Sequence, residues 1–391
     1  MRGCPSRWPR PWFSTPAVPD RRRWAAAAAV AALVGCASLV TGTTGSAEPV
    51  LRDRILVDAA EFTPICTPDD SDVGAPAESS LEELSGLVSA AGLLYAVGDS
   101  GSDRAVAVMD ADCVVQRWLP LPVDPYDVED MALGPDGRLW LADVGDNGRR
   151  RETVALIAMD RDTGVGELHR LTYPDGPHDA ETLLIQRDGT PLIVTKEILG
   201  VGSVYRPVGD VGVGGLATPG PTPLEKVAVL DPSETSGKGV EGSGNAAPSL
   251  RPTMFTGGAV SADGTVAAVR NYSDVFLYSA PDGDLLSAFA SGPVVRARVP
   301  QQPQGESVAF TESGDLLIAS EAREGPIPAI QVLPGAVSLV QGTQPAGTVV
   351  DDESAESSGT RWEIGVAALL GVALTAVLGY VALRRVRSSA L

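Results

Sequence analysis

The stretch Asp127-Val-Glu-Asp-Met-Ala-Leu-Gly-Pro-Asp-Gly-Arg-Leu-Trp-Leu-Ala-Asp-Val-Gly-Asp-Asn147 decides the fold. It reads as a short strand, a tight Pro135-Asp136-Gly137 turn and a second strand. In the second strand Leu139 and Leu141 share one face, and Trp140, Ala142 and Val144 share the other, because side chains alternate along extended backbone. That is the pattern of a β-hairpin buried on both sides.

The same pattern recurs around Gly92, Gly137, Gly189, Gly264 and Gly314, at intervals of 45 to 75 residues. Each hairpin is followed by another β-rich run, such as Ala105–Asp110, Thr153–Asp160 and Val275–Ala280. A fourth run, such as Leu168–Tyr173 or Leu224–Leu230, usually completes the unit. Four strands per unit at this period predict the blades of a β-propeller, an all-β fold. Five repeats are visible. The length of chain per repeat leaves room for a sixth blade, or for a closing strand from Arg54-Ile-Leu-Val57.

Both ends of the chain read as targeting and anchoring. Residues 1–47 carry six arginines, an apolar alanine-rich run and small residues at Gly45–Ala47, the layout of a signal peptide. Leu33-Val-Gly-Cys36 also fits a lipoprotein cleavage box, so lipidation of Cys36 stays open. Residues 363–383 are assigned as a transmembrane helix, since Ile364–Leu383 is an uncharged run of twenty residues. At about 1.5 Å per residue this run spans a bilayer core of about 30 Å. Arg384, Arg385 and Arg387 place the short tail, residues 384–391, in the cytoplasm. The expected localisation is the cell membrane, single-pass, with the main domain extracytoplasmic.

Charge fits that topology. Residues 1–47 stand at +5 and residues 384–391 at +3, which leaves −28 on residues 48–383 of a chain whose net charge is −20. Such a surface repels nucleic acid and anionic headgroups and attracts cations. Residues 48–80 form an N-terminal arm, residues 81–341 the propeller, and residues 342–362 an acidic stalk. The Gly/Ser/Pro-rich stretch 232–252 reads as an insertion between the third and fourth repeats. Outside the targeting segment only Cys66 and Cys113 remain, and an exported pair favours a disulfide.

The chemistry is less legible. Ten and eight residues before the turn glycines stand Asp127 and Glu129, Asp179 and Glu181, and Gln304 and Glu306. The first blade has Glu82 and Leu84 there, and the fourth Met254 and Thr256. Residues i and i+2 of an innermost strand face the central channel together. Asp127, Glu129, Asp179, Glu181 and Glu306 are therefore expected to ring one channel mouth. Crowded carboxylates need protons or a cation, and oxygen-only ligation suits calcium. Capping of loop amides, or pairing with arginines, explains the same residues without a metal. His178, Lys196 and Arg270 are expected at the same end, where they could read a ligand. The matched Gly98-Asp-Ser-Gly101 and Gly145-Asp-Asn-Gly148 read as Asp–Gly turns, not as a serine nucleophile.

The series from Asp127 to Asn147, then Asp179-Ala-Glu181, then Gln304-Gly-Glu-Ser-Val-Ala309 resembles bacterial exported β-propeller proteins. It is broadly similar to the NHL, gluconolactonase-like and phytase-like families. The resemblance implies either a binding module or a calcium-dependent lactonase or esterase, with Glu129, Glu181 and Glu306 as counterparts of the metal ligands. Two functions stand: a membrane-anchored binding or scaffold module for a protein or glycan of the cell envelope, or that calcium-dependent hydrolase. Whether the chain is an enzyme is left open by sequence. The channel carboxylates decide between them: convergence favours the hydrolase, consumption by arginines or loop amides the scaffold.

Overall fold

The computed structural model describes residues 55–71, 73–198, 201–231 and 254–342. The signal segment, the 232–252 insertion, the acidic stalk and the C-terminal apolar run lie outside the described residues. No helix among the described residues is long and apolar enough to cross a membrane.

Two N-terminal strands, β1 (Ile55–Val57) and β2 (Thr63–Cys66), precede the blades. The first blade contains β3 (Leu84–Ala90), β4 (Leu93–Gly98), β5 (Ala105–Met109) and β6 (Val115–Pro120). The second has β7 (Val128–Leu133), β8 (Leu139–Asp143), β9 (Val154–Met159) and β10 (Gly166–Thr172). The third has β11 (Ala180–Ile185), β12 (Pro191–Thr195), β13 (Gly202–Pro207) and β14 (Thr222–Leu230). Strands β15 (Phe255–Val260), β16 (Val266–Asn271), β17 (Asp274–Ser279) and β18 (Val295–Arg298) make the fourth. The fifth has β19 (Gln304–Phe310), β20 (Leu316–Glu321) and β21 (Ile330–Leu333) from the C-terminal side, and β2 as its outer strand. Within each blade, successive strands pair antiparallel as a meander. The innermost strands touch in a closed circuit, β3 to β7 to β11 to β15 to β19 and back to β3. The described residues thus form five blades, with no sixth among them.

All five turn glycines have positive φ, between 68° and 90°, which is why glycine marks each hairpin. The two-faced pattern of the deciding stretch is also realised. Leu139 and Leu141 pack with Val97, Val106 and Met131 on the first-blade side. Trp140, Ala142 and Val144 pack with Leu183, Ile193 and Tyr205 on the third-blade side. Each inter-blade layer is a strip of alternating β residues from two sheets. Two seven-residue helices, α1 (Leu285–Ser291) and α2 (Ala336–Gly342), interrupt the all-β pattern, and Asp284 caps the first through the amides of Leu286 and Ser287.

Ring closure differs from expectation. Ile55–Val57 does not close the ring; it adds to the outer edge of the fourth blade, parallel to β18. The closing strand is Thr63–Cys66, antiparallel to β21. Cys66 then bridges to Cys113, at a Cα separation of 5.6 Å and 47 residues away in sequence. Because Cys113 precedes β6, the bond fastens the closing strand of the last blade to the first blade. Closing a loop of that length contributes about 2–4 kcal/mol. Reduction of the full chain is therefore expected to lower its melting temperature measurably in calorimetry. An unchanged transition would show that the closing strand holds without the bond.

Candidate metal centre

Every innermost strand carries a β-bulge at the same height. The registers slip between Leu84 and Gly86, Val128 and Asp130, Ala180 and Thr182, Phe255 and Gly257, and Gly305 and Val308. The residues set free by these slips are Ser85, Glu129, Glu181, Thr256 and the pair Glu306-Ser307. A bulge re-aims its side chain and often stands next to a working site. Here five bulges in a ring lift one polar side chain from each blade into the channel. The first-blade position is Ser85, not Leu84.

Three of the five are glutamates, and they converge. One carboxylate oxygen each from Glu129, Glu181 and Glu306 lies within 4.8 Å of the others, and all three side chains are buried, at 2%, 2% and 1% exposure. Their neighbours orient them. Lys196 Nζ pairs with Glu181 Oε1, while Glu181 Oε2 is buried with no hydrogen-bond partner. Glu306 accepts from Gln304 Nε2 (2.9 Å), from the Tyr272 hydroxyl (3.3 Å) and from Ser85 Oγ (3.4 Å). No hydrogen-bond donor among the described residues reaches the Glu129 carboxylate. Gly145 faces this group, and a Cβ there would collide with Glu129 Oε1 and Asp127 Oδ2. The lone missing methyl is what lets both carboxylates approach the second blade's loop.

A second acidic group shares Glu129. Oxygens of Asp99, Asp127 and Glu129 also lie within 4.8 Å of one another. The Asp99 and Asp127 carboxyls lie close enough to raise the cost of ionising both. Burial, then the carboxylates of Asp127 and Glu306, push Asp99 up to about 7. Burial also raises Asp127 to about 6, with Asp99 and Arg151 pulling the other way. Burial and the charges of Asp99, Asp127 and Glu306 hold Glu129 well above the usual carboxylate range. Glu321, behind Glu306, rises to about 9 through burial and the Glu306 charge. A centre so poor in cations retains its protons until something positive replaces them.

Of the residues expected at the mouth, Asp127, Glu129, Glu181, Glu306 and Lys196 meet. Asp179 does not join either group: its Oδ1 accepts the Asp146 amide at 2.9 Å, a loop-capping role. His178 stands to one side, with Nε2 3.0 Å from Asp175 Oδ1 and 3.0 Å from the Tyr205 hydroxyl, edge-on to Tyr173. Arg270 lies in the wall between two blades. Its guanidinium is fully buried and donates to the carbonyls of Ser307 (2.9 Å) and Ala319 (3.0 Å) and to Gln302 Oε1 (2.8 Å). It ties the fourth blade to the fifth. Burial lowers it to about 10, still a cation at neutral pH. Asp99, Ser85, Tyr272 and Glu321 went unrecognised in the sequence.

The donor set fits a hard divalent cation. Three carboxylates from three blades, one with a buried oxygen lacking any partner, are the oxygen ligands that such an ion takes. The opposite mouth is of another character: a cavity of about 300 Å³ walled by Val88, Leu133, Ala259 and Phe310 among others.

No protein-family profile matches the chain, and no curated protein matches it. Among solved structures the chain is similar to a gluconolactonase from Xanthomonas campestris, at 17% identity over 69% of this chain and 88% of that one, with a TM-score of 0.38. It is similar to a streptogramin B lyase at 14% identity, over 64% of each chain and hence under two thirds of the lyase, with a TM-score of 0.30. A PQQ-bound aldose sugar dehydrogenase from Streptomyces coelicolor matches at 11% identity, 69% and 96% coverage and a TM-score of 0.33. These are β-propeller-like proteins, and likenesses this distant carry no functional argument.

Proposed function

We propose that the chain is a calcium-dependent hydrolase of lactones or esters, tethered to the cell membrane with its propeller outside. The observation that carries this reading is the convergence of Glu129, Glu181 and Glu306, combined with the unpartnered Glu181 oxygen. A scaffold has no need of buried acids that repel one another. Asp179 alone shows the loop-capping pattern that a scaffold would require of the whole ring.

When bound, a divalent cation supplies Lewis acidity toward a carbonyl oxygen. The chain's own residues prepare for it. Lys196 fixes one oxygen of Glu181 and leaves the other to the channel. Gln304, Tyr272 and Ser85 orient Glu306. The bulges place Ser85, Glu129, Glu181 and Glu306 on strands, so their positions are set by sheet pairing.

Calorimetric titration of the chelator-stripped full chain with calcium tests the reading. Binding is expected, and Glu129→Gln combined with Glu181→Gln is expected to weaken it at least about 100-fold, with lactone and ester turnover lost in parallel. A chain that takes up no calcium, and melts identically in chelator, would sink the proposal.

A further inference from the structure

We infer that the channel mouth holds two divalent cations, with Glu129 as the carboxylate shared between them. This inference rests on the metal reading above and goes beyond it. The first position is the Glu129, Glu181 and Glu306 group; the second is formed by Asp99, Asp127 and Glu129.

The independent sign of a ligand is Glu129 itself. It is 98% buried, stands in both groups, and meets no hydrogen-bond donor among the described residues. A carboxylate this deep in the fold, whose oxygens meet no donor, is free to face cations. Three of the other members have a neighbour on one oxygen: Lys196 on Glu181, Gln304 and Tyr272 on Glu306, and the Ser100 amide on Asp99. Glu129 is the member common to the two groups. A carboxylate has two oxygens and can give one to each ion.

Charge supports the count. The two groups contain five acids, Asp99, Asp127, Glu129, Glu181 and Glu306, and the one lysine in contact is Lys196. Arg151 is engaged by Asp143 at 2.9 Å, and Arg270 by carbonyls of the fifth blade. With all five ionised, a single divalent ion leaves a buried net negative charge, whereas two ions and Lys196 cancel it. Gly145 bears on the same point. Its absent side chain clears Glu129 and Asp127 together, the two acids that must lie side by side if one serves both ions.

Apart from the shared Glu129, the second position uses residues that the first does not. Asp99 comes from the loop after β4 of the first blade, Asp127 from the entrance to β7 of the second. It can therefore be removed while the first remains intact. Asp99→Asn is the variant of choice, because the side chain keeps its size in a loop that is only partly buried.

Titration of the stripped full chain with calcium is expected to give two equivalents, and Asp99→Asn one. Loading with manganese and recording electron paramagnetic resonance is expected to show a spin-coupled pair in the parent chain and an isolated ion in Asp99→Asn, since ions sharing a carboxylate lie about 4 Å apart. One equivalent in the parent chain would overturn the second position and leave the first standing. No binding at all would overturn both. Two equivalents that persist in Asp99→Asn, or two ions without spin coupling, would place the extra ion elsewhere and overturn the shared-carboxylate arrangement. If Asp99→Asn melts early in chelator, Asp127→Asn replaces it with the same expectation.

Discussion

Asp130→Ala is expected to cost about 4–6 kcal/mol of folding stability, read as a shift of the denaturant midpoint at unchanged slope. Asp130 is fully buried, one residue beyond the bulge in β7. Its Oδ2 accepts the amides of Leu183 (2.8 Å) and Gly258 (3.2 Å), and its Oδ1 accepts its neighbour Met131 (2.8 Å). One carboxylate thus links the inner strands of the second, third and fourth blades, where five bulges have removed ladder partners. Burial pushes this carboxyl well above its ordinary range while the three amides pull it down. Truncation leaves three buried N–H groups unmet, each costing about 1–3 kcal/mol. Asp130→Asn keeps one acceptor oxygen but turns an NH₂ toward an amide, so an intermediate loss is expected. Losses within about 0.5 kcal/mol for both variants would show that the inner ring does not depend on this residue.

What the sequence revealed divides along a physical line. Hairpins were legible because their signals are local: a glycine at positive φ and alternating side chains fix each one within about twenty residues. The glutamates were found because Asp127 and Glu129, or Asp179 and Glu181, repeat at a fixed offset from those turns. The bulges were not legible, since one slipped residue leaves no trace in composition. They explain why Ser85, and not Leu84, faces the channel. Asp99 was hidden because the same Asp–Gly turn that explains it locally also carries it to Asp127, which only the assembled blades bring near. The burial of Arg270 was hidden for the opposite reason: its charge is conspicuous, while two of its partners are backbone carbonyls that no sequence displays. Closure by Thr63–Cys66 across to Ile330–Leu333 is a pairing between opposite ends of the propeller, beyond any local rule.

In chelator the chain is expected to lose stability steadily as pH rises from about 5 to about 9, and saturating calcium is expected to reverse the trend. The sign follows from which state holds the protons. Asp99 at about 7, Asp127 at about 6 and Glu321 at about 9 stand above their ordinary values in the folded chain, so the fold binds more protons than the unfolded chain does. Stability then falls with pH across that window, by about 1.4 kcal/mol per pH unit for each retained proton. Asp99 alone, raised from 3.8 to about 7, amounts to roughly 4 kcal/mol at full effect. Cations replace those protons and bind better as the carboxylates ionise, so the calcium-loaded chain should hold or gain stability over the same range. Thermal melts at several pH values, with and without calcium, read both limbs. Glu129→Gln separates this account from general acid repulsion over a chain at −20. Removing the central charge should flatten the chelator profile, raise the melting temperature at pH 9 above that of the parent chain, and abolish the calcium response. A chelator profile that is already flat, or a calcium response that survives Glu129→Gln, would mean that the buried acids are stabilised by neighbours within the fold, and the case for a metal at this mouth would fail with it.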